Sequence, residues 1–166
     1  LLPLTETTIR ASLINASLRE RRTLSLPSHF PGLDWDRIDY FGWRDSKFPT
    51  LGYVILELDD GPVGILLRQS SGRIRSRAQC SWCEDVTLPN DVVLFSAKRT
   101  HEAGRNGNTI GTLVCAHFEC SANVRKRPPV AYIGFDADAA RQRRIDSLRN
   151  RIRRFGQDLR DGSSQD

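Results

Sequence analysis

The sequence predicts an α+β fold: small antiparallel β-hairpins built around a metal-stapled finger, flanked by an N-terminal helix and a long C-terminal helix. Three observations carry this. β-Branched and apolar runs are separated by turn signals at Asp60-Gly61 and across Gly104–Asn108. Residues 136–160 carry an apolar stripe at spacings of three and four. Four cysteines fall in two pairs, Cys80/Cys83 and Cys115/Cys120. With 166 residues the chain is long enough for one core with a metal-held annex and short for two independent units. It reads as a single domain over 1–166. Its parts are an N-terminal helix and loop (1–32), an aromatic-rich segment and β-hairpin (33–79), the finger (80–127), a basic amphipathic helix (136–160) and a disordered tail (161–166).

Residues 5–22 read as the first helix. Thr5 caps it, Glu6 sits where the helix dipole favours an acid, and Ile9, Leu13 and Ala16 share a face. Pro27 and Pro31 break the chain. Residues 33–50 read as a loop whose aromatics, Trp35, Tyr40, Phe41 and Trp43, supply core. The acids among them, Asp36, Asp39 and Asp45, stand beside Arg37, Arg44 and Lys47 and read as caps and ion pairs. Strands follow at 52–59 and 63–68, joined by the Asp60-Gly61 turn. A second hairpin pairs 92–96 with 109–114 across a flexible basic loop, 98–108. Residues 117–126 read as a short helix ended by Pro128-Pro129, and 131–135 as an extended piece. In the last helix Ile145, Leu148, Ile152, Phe155 and Leu159 form the stripe. Arg141, Arg143, Arg144, Arg149, Arg151, Arg153 and Arg154 form the opposite face.

Charge is uneven. Residues 1–67 carry a net charge of −2 and residues 68–166 a net charge of +7, within an overall +5. A basic second half points to an acidic partner: nucleic acid, a ribosomal surface or an acidic protein. No apolar run approaches the ~20 residues that cross a bilayer, so no membrane role is expected. The N-terminal stretch has neither a charged n-region nor a cleavage motif, so the expected setting is the cytoplasm.

The cysteine pattern is C-x2-C-x31-C-x4-C and uses every cysteine in the chain. Four thiolates fill a tetrahedron about one zinc ion and leave no open position, which is the mark of a structural site. A C-x2-C knuckle, a hairpin and a helix bearing the last ligands make a treble-clef finger. Three rivals stand beside this reading. Two disulfides are one, disfavoured by the absence of a secretion signal. His117 in place of Cys115 or Cys120 is another, and a redox C-x2-C is the third. His117-Phe118-Glu119 also matches the H-x-E of zinc deaminases, but in the wrong order relative to Cys80 and without the preceding proline. Walker, dinucleotide and G-x-S-x-G motifs are absent from the sequence, and the chain reads as a non-enzyme without a small-molecule substrate.

Several motifs together resemble one family. They are Asp34-Trp35, Tyr40-Phe41-Gly42-Trp43-Arg44-Asp45, Gly52-Tyr53-Val54, Val63-Gly64-Ile65, Cys80-Ser81-Trp82-Cys83 and Leu94-Phe95-Ser96-Ala97. To these is added the run from Thr109 to Cys115 and on through Phe118-Glu119-Cys120 to Val124. They resemble the elongation factor G-binding proteins, which include the FusB-type fusidic acid resistance proteins. The resemblance implies a C-terminal treble-clef zinc finger with Cys80, Cys83, Cys115 and Cys120 as ligands of one structural Zn2+. It implies binding to elongation factor G by a monomer, modulation of that factor's release from the ribosome, and a link to fusidic acid resistance. Candidate partner contacts are Trp82 in the knuckle, Lys98, Arg99 and Arg105 in the loop, and Arg125 and Lys126 after the last ligand. The alternative is a zinc module that binds ribosomal RNA or other nucleic acid directly.

Overall fold

The computed structural model describes residues 1–71, 78–85, 91–130 and 132–161. Five strands form one antiparallel meander: β1 (Phe41–Arg44), β2 (Leu51–Leu58), β3 (Gly61–Gln69), β4 (Val92–Lys98) and β5 (Thr109–Cys115), each paired with the next. Five helices accompany them: α1 (Glu6–Ser12), α2 (Leu18–Thr23), α3 (His101–Arg105), α4 (Cys120–Arg125) and α5 (Ala137–Asp161). The expected α+β architecture is therefore present, with both hairpins and the long C-terminal helix.

The sheet separates two apolar layers. On one side lie Ile9, Leu13, Phe41, Trp43, Tyr53, Ile55 and Leu66. Here Phe41 stacks on Trp43 at 4.5 Å and Trp43 on Tyr53 at 5.1 Å, a ladder set by the β1–β2 register. On the other side Val54, Leu56 and Ile65 meet the α5 stripe, and Ile145, Leu148, Ile152, Phe155 and Leu159 are all buried. The alternation along β2 thus serves both layers, which is why the strand is buried almost throughout.

The two hairpins touch at a corner. Among the described residues β3 and β4 pair through Arg68↔Ser96 and Gln69↔Phe95 alone. What holds the second hairpin down is Phe118, which lies across β1 and β2. A Cβ at Gly42 would stand 2.7 Å from Phe118 Cβ, and one at Gly52 would stand 2.7 Å from Phe118 Cζ. These two glycines leave the room that the ring occupies. Phe118 also stacks on Phe95 at 5.4 Å.

Five expectations are corrected. The 5–22 helix is two short ones. Leu13 bridges to Gly64 and Asn15 bonds both the N–H and the C=O of Leu66, so 13–15 runs along β3 instead. Ser17 then starts α2 with a reciprocal capping box to Glu20. Part of the 33–50 loop is strand β1, since Phe41 and Trp43 alternate into the core. The 98–108 loop contains helix α3. The segment expected to be helical over 117–126 is helix only from Cys120. Residues 132–135 form a turn, Phe135 N–H donating to Tyr132 C=O, rather than an extended piece. The expected tail lies outside the described residues beyond Asp161.

Candidate metal centre

Three local devices deliver the four cysteines. Cys80 and Cys83 flank a tight turn. The turn is tied to β5 by Ser81 N–H donating to Leu113 C=O at 2.8 Å, and closed by Glu84 N–H donating to Cys80 C=O. Cys115 ends β5, opposite Val92 of β4. Cys120 is the first residue of α4. The C-x4-C spacing thus spans strand end to helix start, whereas the sequence suggested that both cysteines sit in the helix. The four residues between them make the excursion that seats Phe118, whose φ is +63°.

All four Sγ atoms lie within 4.8 Å of one another and all four residues are buried. Cys80 and Cys120 are 3.6 Å apart, as are Cys83 and Cys115. A disulfide needs about 2.05 Å, so these are free thiols. Four sulfurs about 2.3 Å from a common zinc would be about 3.8 Å apart along each tetrahedral edge. The donor set therefore fits one structural Zn2+. His117 is exposed and outside the cluster, which removes it as a replacement ligand. Its backbone N–H instead donates to the Glu119 carboxylate at 3.2 Å, so the H-x-E run is a local turn.

Without a cation the cluster is electrostatically uneven. Hydrogen bonding from Cys115 and Cys120 holds the Cys80 thiol below the ordinary thiol range, while contact with Cys115 and Cys80, with burial, pushes Cys120 well above it. Four thiolates cannot share this space unless a cation neutralises them; bound zinc supplies that charge and crosslinks the knuckle to β5 and α4.

Around the sulfurs stands a set of residues that the spacing argument overlooked. The Asn123 side-chain amide donates to Cys115 Sγ at 3.5 Å and faces Cys83 Sγ at 4.0 Å. Lys126 Nζ holds the same amide by its oxygen at 2.7 Å. Cys83 N–H points at Cys80 Sγ at 3.5 Å. Asn123 sits three positions beyond Cys120, so helical spacing was the signal available for it. Tyr40 donates to Phe118 C=O at 3.0 Å and meets the Trp82 ring edge-on at 5.3 Å. Trp82 in turn packs on Phe155 of α5.

A second hub is Asp39, whose carboxylate is fully buried. It takes Arg125 Nη1 at 2.5 Å and Arg149 Nε at 2.8 Å, while its backbone N–H donates to Ser121 Oγ. One acid thereby joins the aromatic segment, α4 and α5. Asp45 is a local cap, accepting from Lys47 and Phe48 N–H groups.

The six candidate contacts do not form one patch. Trp82 is 2% exposed, so its expected place on the surface is corrected: it is core above the thiol cluster. Arg125 is committed to Asp39. Lys126 is exposed at the zinc end. Lys98 ends β4 and Arg105 ends α3, with Arg99 between them. Val92↔Cys115 and Lys98↔Thr109 mark opposite ends of the hairpin. Six strand steps separate those ends by about 20 Å. Much of the basic face of α5 is also engaged. Arg144 donates to Asn123 C=O, Arg149 pairs with Asp39, Arg151 with Glu84 and Arg153 with Asp59.

The knuckle, the hairpin and the helix bearing the last ligand are the parts of a treble clef. A family model for the FBP C-terminal treble-clef zinc finger matches residues 8–159. The chain belongs to that family. The match takes in all four cysteines, the aromatic ladder and most of α5, so the family fold includes the sheet and helix as well as the finger. No curated protein and no solved structure matches the chain. Among the described residues no helix is long and apolar enough to cross a membrane.

Proposed function

We propose that this protein binds translation elongation factor G as a monomer and modulates the factor's interaction with, or release from, the ribosome. The single observation that carries the proposal is the family match over 8–159. The motif resemblance to the elongation factor G-binding, FusB-type proteins supports it. Protection against fusidic acid is a downstream consequence of such binding. The role is non-enzymatic: four sulfur donors complete a zinc shell and leave no coordination position for substrate.

The zinc end is the contact face of this reading. Past α4 the chain leaves through Lys126, Arg127 and Pro128-Pro129 and then exposes Val130, Tyr132 and Ile133, at 68%, 66% and 103%. Tyr132 is braced by Phe135 at 5.5 Å. Apolar and aromatic side chains beside a basic rim have the make-up of a contact centre. The closed cluster ties the start of this segment to the core, because α4 begins at one ligand and ends three residues before Pro128.

Calorimetric titration of zinc-loaded protein against purified elongation factor G tests it. One-to-one binding at micromolar affinity or better, lost in Ile133→Asp together with Tyr132→Ala, is the expected result. A folded, zinc-loaded sample that gives no binding would show that the fold serves another partner.

A further inference from the structure

At the far end of the second hairpin lies a groove of about 500 Å³ between the Asn15–Glu20 stretch, the end of β4 and α3. Its charged lining is lopsided. Arg68, Lys98, Arg99 and Arg105 face it, with the His101 imidazole beside them, against one carboxylate among the lining residues, Glu20. That carboxylate is already engaged by Arg68 and by the Ser17 N–H. Lys98 and Arg105 are exposed, and no acid pairs with either among the described residues. Among the described residues no Phe, Tyr or Trp side chain lines the groove.

The backbone that presents these cations is held from several sides. Thr100 Oγ1 donates to Leu159 C=O at 3.0 Å and Arg160 C=O at 2.6 Å, which satisfies carbonyls at the end of α5. Arg99 Nη1 donates to Asp158 C=O, and Arg99 N–H to Asn108 C=O. Gly104 packs so closely that a Cβ there would stand 1.8 Å from Arg99 C=O. His101 is held at φ +54°, a conformation a non-glycine residue keeps only when its surroundings enforce it. The expected flexible loop is thus a braced turn whose backbone holds the roots of these cations in place.

We infer that this groove, at the end of the second hairpin opposite Cys115, binds the phosphate backbone of single-stranded RNA independently of the factor-binding residues. The basic lining supplies the attraction. Without Phe, Tyr or Trp among its described lining residues the groove offers no large stacking platform, so recognition runs mainly along phosphates and is tolerant of sequence. An acidic peptide is the other polyanion that Arg68, Lys98, Arg99 and Arg105 attract. RNA is favoured because every backbone unit carries a charge whatever the sequence, whereas a peptide is this acidic only in rare runs.

The test is fluorescence anisotropy of the full, zinc-loaded chain with a labelled oligouridylate of about 16 nucleotides, titrated across salt. The inference predicts binding whose log affinity falls with log salt at a slope of about two, as expected for three phosphate contacts at about 0.7 each. Lys98→Glu with Arg105→Glu should weaken binding at least about tenfold and lower the slope by at least one, with zinc content and circular dichroism unchanged. Arg143→Glu with Arg154→Glu, an equal charge change on exposed positions of α5, should leave the affinity within about twofold. Equal loss in both double variants, or no loss in the first, would overturn the inference. So would polyglutamate of matched charge competing as well as RNA. Factor binding should survive the Lys98/Arg105 change, so failure here and failure of the factor-binding proposal are separately visible.

Discussion

At the scale of single residues, two side chains that looked ordinary in the sequence hold the zinc end together. Asn123 gives its amide to Cys115 Sγ, and a donor to a metal thiolate typically changes metal affinity 10- to 100-fold. Asn123→Ala should lower zinc affinity by about that factor in a chelator competition, with the apolar core untouched. Asp39 carries a different burden. Burial alone would raise its pKa, but hydrogen bonds from Arg125 and Arg149 outweigh it and hold the carboxyl below its usual value. The folded form thus binds this proton less readily than the unfolded chain. Its stabilisation is complete above the unfolded pKa of about 3.9 and is lost as pH falls through the lower folded value. Asp39→Asn should flatten the acid limb of a stability–pH curve. At neutral pH it should cost less than the about 3–5 kcal/mol typical of a fully buried pair, because Arg149 is half exposed and can turn to water. Chemical denaturation from about pH 2 to 7, which covers the unfolded value of about 3.9 and extends into the lower folded titration, measures both effects.

Among elements, the sheet and the finger are coupled through one ring. Phe118 is placed by the loop between two cysteines and received by two glycines on neighbouring strands. Gly42→Ala would set a methyl 2.7 Å from Phe118 Cβ and 2.8 Å from the Tyr40 ring. Overpacking of this kind costs about 1–3 kcal/mol. The melting temperature should drop accordingly, while Gly32→Ala, with nothing within 4 Å, serves as the neutral control. This coupling also marks where the sequence stopped being readable. The hairpins, the α5 stripe and the cysteine set were legible because their signals are local: a turn pair, a helical period, a four-sulfur pattern. The break at Leu13–Asn15 was not, because its cause is a hydrogen-bonded edge on β3, some fifty residues away. Strand β1 hid in an aromatic loop, since only pairing with β2 reveals its alternation. Trp82 and Arg125 looked like surface contacts because spacing cannot show that α5 and Asp39 cover them. Asn123 lay at helical spacing from Cys120, yet its neutral side chain gave no sign of a thiolate partner.

For the whole molecule, the thiol cluster sits inside the main apolar layer and contributes to it. Cys80, Cys83, Cys115 and Cys120 belong to the same packed group as Trp82, Val124 and the α5 stripe. Zinc binding in isolated fingers is worth roughly 10–16 kcal/mol, comparable to the about 5–15 kcal/mol net stability of a typical domain. Removing the metal should therefore unfold more than residues 80–127. Hydrogen exchange should show α5 losing protection along Ile145–Leu159 together with the finger, while retained α5 protection would mean that the helix stands on the sheet alone. The account rests on four sulfurs closing one structural site at the start of the chain segment that leads to the proposed contact face. Zinc K-edge X-ray absorption on the purified protein tests that most directly. The predicted result is one zinc per chain with four sulfur neighbours at about 2.3 Å; a shell containing nitrogen or oxygen, or fewer than four sulfurs, would contradict it.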